Sequence, residues 1–160
     1  MFKFVKKISM FMFLVMCMGV MTSCFGGGSK KVSNSTDELY EKAVAGIELP
    51  QMQKLNSSDL EGLIKIKSSD VEEATVNISV MNVKATEIGI FKFSNSDQEK
   101  AIDKGIKERL SDLEETWSRY LPDQYDLVKN VKKFTYGNVK GYVIADESAK
   151  IISNIEKALK

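Results

Sequence analysis

The chain is 160 residues long and carries 23 Lys and Arg against 22 Asp and Glu, a formal charge of +1. It contains no histidine, which excludes Ser-His-Asp triads, Cys-His pairs and imidazole metal sites. Its balanced charge shows no basic stripe, so nothing in it argues for a nucleic-acid partner.

Residues 1–7, MFKFVKK, are basic, and residues 8–21, ISMFMFLVMCMGVM, are apolar apart from Ser9 and Gly19. The apolar run is short for a membrane-spanning helix, which needs about 20 residues. A basic start, a short apolar stretch and small residues at a processing site make a secretory signal. Here the site ends Met21-Thr22-Ser23-Cys24, which resembles the lipobox of a bacterial lipoprotein signal. That resemblance implies alkylation of the Cys24 thiol by a diacylglyceryl group, with palmitate-type acyl chains, and cleavage before it. Residues 1–23 are then the signal peptide; the alternative is an uncleaved membrane anchor in which Cys24 is incidental. Cys17 is lost with them and Cys24 is acylated, so the mature domain has no thiol and no disulfide. Removing Lys3, Lys6 and Lys7 leaves 20 basic against 22 acidic side chains, a charge of −2. The expected location is the extracytoplasmic face of the cell membrane, held by lipid at Cys24.

Residues 24–36 hold Cys24 and FGGGSKKVSNST, a composition that reads as a flexible tether. The expected domain spans 37–160. In STDELYEKAVAGI, Leu39, Tyr40, Ala43, Val44 and Ile47 recur at helical spacing after a Ser/Thr/Asp start. SSDLEGLIKI, 57–66, reads as a second short helix. The period then changes to two: Ala74, Val76, Ile78 and Val80 alternate with Thr75, Asn77, Ser79 and Met81. With ATEIGIFKF, 85–93, this predicts a hairpin turning near Asn82–Lys84.

SNSD, 94–97, begins a long helix with Ile102, Ile106, Leu110, Leu113, Trp117 and Leu121 on one face. Pro122 ends it, because proline disfavours helix in the residue before it. DQYDLVKN follows as a turn or a helical piece. VKKFTY and VKGYVIA, joined at Gly137-Asn138, give the strongest hairpin signal. DESAKIISNIEKALK closes the chain as a helix with Ile151, Ile152, Ile155 and Leu159 inward and Asp146 or Ser148 as its cap.

Hairpins interleaved with helices predict an α+β fold. The expected sheet has four antiparallel strands, made of two hairpins. The long helix and the C-terminal helix lie on one face, with the short N-terminal helices elsewhere. Period two divides the strand aromatics between the faces. Either the N-terminal helices cover the second face, or one of the pairs Phe91/Phe93 and Phe134/Tyr136 stays partly exposed as a binding face.

WSRYLPDQYDLVKN, 117–130, MNVKATEIGIFKF, 81–93, and YGNVKGYVIADESAKIISNIEKAL, 136–159, together resemble a domain of unknown function found in small lipoproteins of Gram-positive bacteria. The resemblance rests on Asn82, Glu87 and Ile88, then on Tyr120, Pro122 and Tyr125, then on Gly137, and it covers most of 37–159. It implies boundaries and location and brings no activity. Trp117, Tyr120 and Tyr125 gather at the end of the long helix, either as a structural corner or as an aromatic ligand notch.

Two acidic runs remain, Asp70/Glu72/Glu73 and Asp112/Glu114/Glu115. Each reads as a solvated face or as an acid/base pair or weak calcium site. FGGGSKK lacks the strand before and the helix after that a phosphate loop needs. No cofactor is expected and no residue is assigned to catalysis or to a metal. The sequence therefore reads as a membrane-anchored, non-enzymatic binding or accessory module. Its partner is an envelope protein or a small ligand; the alternatives are a carboxylate-based envelope hydrolase and a structural spacer.

Overall fold

The computed structural model describes residues 31–160. The expected signal peptide, Cys24 and most of the expected tether therefore lie outside the described residues. Helix α1 is Thr36–Val44, started by a capping box in which Ser35 and Glu38 exchange side-chain and backbone bonds. Strand β1 is Met52–Lys54. The short helix α2, Ser57–Asp59, runs on into a π-helical turn, Leu60–Ile64. Strands β2, Glu73–Ser79, and β3, Glu87–Lys92, form the first hairpin. Helix α3 is Ser96–Trp117, with Asn95 accepting from the backbone N–H groups of Asp97 and Gln98.

Helix α4, Pro122–Lys129, has proline in its first turn, where the missing donor costs no hydrogen bond. Strands β4, Lys132–Tyr136, and β5, Val139–Ile144, form the second hairpin. Gly137 takes φ +57° in its turn, a conformation glycine adopts without strain. Helix α5, Ser148–Leu159, follows from Glu147, whose side chain makes no capping bond, so neither Asp146 nor Ser148 caps it.

The sheet has five strands in the order β1-β2-β3-β5-β4, all antiparallel. This corrects the expected four. The added strand, β1, pairs Met52 with Ser79 and Lys54 with Asn77 at the edge. Its three residues are half-buried or exposed, so it leaves no alternating side-chain pattern. Backbone pairing alone makes it a strand.

The placement of the helices also differs from expectation. The long helix α3 and the C-terminal helix α5 cover opposite faces of the sheet. Ile102, Ile106, Leu110, Leu113 and Trp117 of α3 pack with Val76, Phe91, Tyr142 and Ile144, and Leu60, Ile64 and Ile66 join them. Ile151, Ile155 and Leu159 of α5 pack with Leu39 and Ala43 of α1 and with Ile88, Ile90, Val139 and Val143. The central strands β3 and β5 are buried at every position. That is the signature of a strand covered on both sides. The second face is therefore covered by α1 together with α5 and not by the two N-terminal helices, because the helical segment from 57 to 64 packs with α3.

The packed chain begins before residue 37. Val32 is buried, and its N–H donates to Asn138 Oδ1 at 2.8 Å. Lys92 Nζ donates to the Asn34 carbonyl at 3.2 Å, and Thr36 is buried against Thr75. Thr75 gives its only hydroxyl proton to Asp37, at 2.5 Å, so Thr36 is the donor in the Thr36–Thr75 pair, at 2.9 Å. Hydrogen bonds from Lys54 and Thr75 hold the Asp37 carboxyl below the usual carboxylate range.

Candidate functional site

The strand aromatics do not leave an open sheet face. Phe91, Phe93 and Tyr142 are buried beneath α3, and Phe91 stacks on Tyr142 with ring centroids 6.3 Å apart. Phe91 and Phe93 are therefore core residues and not a docking surface, because the odd positions of β3 point into the α3 layer. Phe134 and Tyr136 point to the other face, where they are half-buried against the α1–α5 layer.

The most concentrated chemistry lies inside the first core. Glu87 Oε1 accepts from the Tyr142 hydroxyl at 2.5 Å and from Arg109 Nε at 3.0 Å. Its second oxygen accepts from the other arm of the guanidinium at 2.6 Å. Gly89 makes this possible: a Cβ there would stand 2.6 Å from the Tyr142 ring. Burial, with the Glu87 carboxylate close by, pushes the Tyr142 phenol well above its ordinary value. Burial opposes the charge on Arg109, but the hydrogen bonds and charge of Glu87 win and hold its guanidinium above its usual range.

Among the described residues no buried side-chain polar atom lacks a partner. None of the three clefts described is lined by Glu87, Arg109 or Tyr142. The triad fastens α3 to the sheet, and so does Lys140, which donates to Asp103 at 2.7 Å and Glu99 at 3.1 Å over the Phe93 ring. Sequence reasoning assigned neither group. The available signal was a charged residue inside each of two β-rich runs, Glu87 in ATEIGIFKF and Lys140 in VKGYVIA.

The acidic runs do not assemble. Glu72 accepts from the Ser94 hydroxyl at 2.6 Å, and Glu115 of α3 meets Arg119, two residues past the helix end, at 3.1 Å on the surface. No group of three His, Cys, Asp or Glu side chains among the described residues is placed to hold a metal ion.

One end of the molecule is unusual. The described residues include five exposed large apolar side chains, and four of them lie there: Val80 (45%), Met81 (46%), Val83 (39%) and Tyr120 (56%). The fifth, Leu63, sits on the π-helical turn. Val80, Met81 and Val83 belong to the turn between β2 and β3. Ser79 Oγ accepts from the Met81 N–H at 3.1 Å, and the Lys84 N–H closes the turn on the Met81 carbonyl at 3.0 Å. Gln124 of α4 accepts from the Ala85 N–H at 2.9 Å, which ties the turn to the corner after α3. At that corner Trp117 is buried and Tyr120 is exposed, their rings 5.9 Å apart and tilted by 49°. Tyr125 is half-buried with Lys129 over its ring at 5.3 Å. The three rings of the corner thus divide into a packed anchor, a solvent-facing ring and a ring under a cation.

Helix α3 runs back along β3, with Arg109 at Glu87 and with Glu99 and Asp103 at Lys140, which pairs with Phe91, so its first turn lies at the other end, beside Asn138 and Lys31. Its 22 residues make the two poles about 33 Å apart at 1.5 Å per residue.

Residues 45–145 match the model of a family described as a domain of unknown function, DUF4358. The match takes in the whole sheet, the Glu87 triad, α3, α4 and the exposed turn; α1 and α5 lie outside it. No curated protein and no solved structure matches the chain.

Proposed function

The chain belongs to the DUF4358 family, and on that premise we propose that it is a lipid-anchored extracytoplasmic binding module that receives its partner on the pole formed by Val80, Met81, Val83 and Tyr120. The observation that carries the reading is four exposed large apolar side chains on the β2–β3 turn and the corner after α3, two segments joined by the Ala85–Gln124 hydrogen bond. Isolated exposed apolar residues are ordinary, but a cluster of them marks an interaction site. Tyr120 brings an amphipathic ring and Met81 an adaptable thioether, both suited to contact surfaces. The anchor rests on the sequence MTSC behind a basic and apolar leader. The packed segment that begins at Lys31 lies at the pole remote from Met81, so tethering there leaves the apolar pole free. Confinement to a membrane also raises the effective concentration of a partner in the same membrane, so a modest contact surface suffices.

Two measurements test this. Cys24→Ala is expected to abolish fatty-acid labelling of the protein in cells; persistent labelling contradicts the anchor. A photoreactive residue at 81 or 120 is expected to cross-link one envelope component in living cells, while one at Lys107 on the exposed face of α3 does not. Equal capture from 81, 120 and 107 contradicts the assigned pole.

A further inference from the structure

Helices α1 and α5 border a shallow, open surface cleft of about 430 Å³ lined by Lys42, Ala45, Asn154, Lys157 and Ala158. At Ala158 it adjoins a second, of about 150 Å³, bordered by Lys31 and Lys160. All four lysines are exposed, and none has an ion-pair partner among the described residues. No acidic side chain lines either cleft; Glu41 and Glu156, on the same helices, stand outside both linings. Across this pole charges of both signs alternate: the first turns of α3 carry Asp97, Glu99 and Asp103 with Lys100 and Lys104 among them, and Lys140 pairs with Glu99 and Asp103. Lys31 borders a cleft with Glu72 and Glu99 there as well. The linings of the two clefts beside α1 and α5 thus hold lysines without acids in a domain that has no net excess of positive charge.

The strip also lies close to the anchor. Six residues, 25–30, separate Cys24 from Lys31, so Lys31 cannot stand more than about 25 Å from an acylated Cys24 even with the chain fully extended. We propose that the flank carrying Lys31, Lys42, Lys157 and Lys160 rests on an anionic bilayer surface. It serves as a second membrane signal beside the acyl chains and orients the domain with α3 turned outward. This inference rests on the anchored reading given above. Clustered lysines near a bilayer are drawn to anionic headgroups, and the attraction fades within a Debye length, about 8 Å at physiological salt. A lipid anchor combined with a basic patch is a recognised two-signal arrangement. An exposed cluster of primary amines with no carboxylate in the two cleft linings has the matching chemistry.

The test uses the full chain purified from membranes and reconstituted into vesicles of phosphatidylcholine, or of phosphatidylcholine mixed with phosphatidylglycerol. A membrane-impermeant amine reagent is applied, and modification is read lysine by lysine by mass. Lys31, Lys42, Lys157 and Lys160 are expected to be protected severalfold on the anionic vesicles, with protection lost in high salt and with Lys100 and Lys107 of α3 unchanged. The variant Lys42→Glu/Lys157→Glu/Lys160→Glu is expected to lose the protection of Lys31, whereas the matched Lys100→Glu/Lys104→Glu/Lys107→Glu variant keeps it. Equal modification on both kinds of vesicle overturns the proposal. The intact mass of the same sample reads acylation of Cys24 separately. An acylated chain without lysine protection overturns the basic strip alone. Protection in a chain without acyl groups overturns the lipid anchor and upholds the strip.

Discussion

Arg109→Ala is expected to destabilise the domain by about 3–5 kcal/mol, the cost typical of removing one partner from a buried ion pair. The side chain of Arg109 supplies two of the three hydrogen bonds that reach Glu87. Its removal leaves a carboxylate with 3% of its side chain exposed and only the Tyr142 hydroxyl for company. Tyr142→Phe removes one hydrogen bond to the same carboxylate and keeps the ring that stacks on Phe91, so a smaller loss of about 1.5–3 kcal/mol is expected, as for bonds to charged groups. Because the two side chains share Glu87, the double variant is expected to depart from additivity by at least about 0.5 kcal/mol. Urea denaturation of the full chain and its variants measures all three. A loss below about 1 kcal/mol for Arg109→Ala contradicts the account, since exposed ion pairs contribute only that much.

Leu110→Ala or Leu113→Ala is expected to cost about 2–5 kcal/mol, the range for truncating a large side chain in a packed core. Both residues are buried in the core between α3 and the sheet. Lys107, three residues before Leu110, is exposed and forms no ion pair among the described residues. Lys107→Ala is expected to stay within about 0.5 kcal/mol of the parent. The contrast between neighbouring positions of one helix separates burial from helix propensity, since Ala is the better helix former at every one of them. Equal losses at 107, 110 and 113 contradict the assigned face.

The parts of the fold that were legible in the sequence are those in which side-chain period and local chemistry agree. The long helix shows its apolar positions from Ile102 to Trp117 and its Asn95 cap, and the β4–β5 hairpin shows Gly137 between two β-rich runs. Strand β1 was illegible because a three-residue edge strand is defined by pairing with β2, not by a pattern of its own. The division of α3 and α5 between faces was also missed. VKGYVI alternates Val139 and Val143 with Tyr142 and Ile144, and all four are apolar, so period two shows that both faces are buried and not which helix covers which. The exposed turn was misread for a related reason. Alternation carried on through Val80 and suggested an inward side chain, but β2 stops at Ser79 and pairing resumes only with β3. The aromatic corner was read as a structural corner or a ligand notch; Trp117 and Tyr120 lie 5.9 Å apart, and the burial of the rings depends on how α4 returns against α3, which spacing does not encode. The Glu87–Arg109–Tyr142 triad spans residues 22 and 55 positions apart, and only the tertiary fold brings them together.

The central claim is that the protein rests on a membrane with the Lys42–Lys157 flank inward and α3 outward. Energy transfer from a donor placed at residue 157, or at residue 107, to acceptors on the headgroups of vesicles carrying the full-length protein measures this most directly. The two positions lie on α5 and α3, which cover opposite faces of the sheet. The account predicts strong transfer from position 157 and weak transfer from position 107. Equal transfer from the two positions, or stronger transfer from position 107, contradicts it.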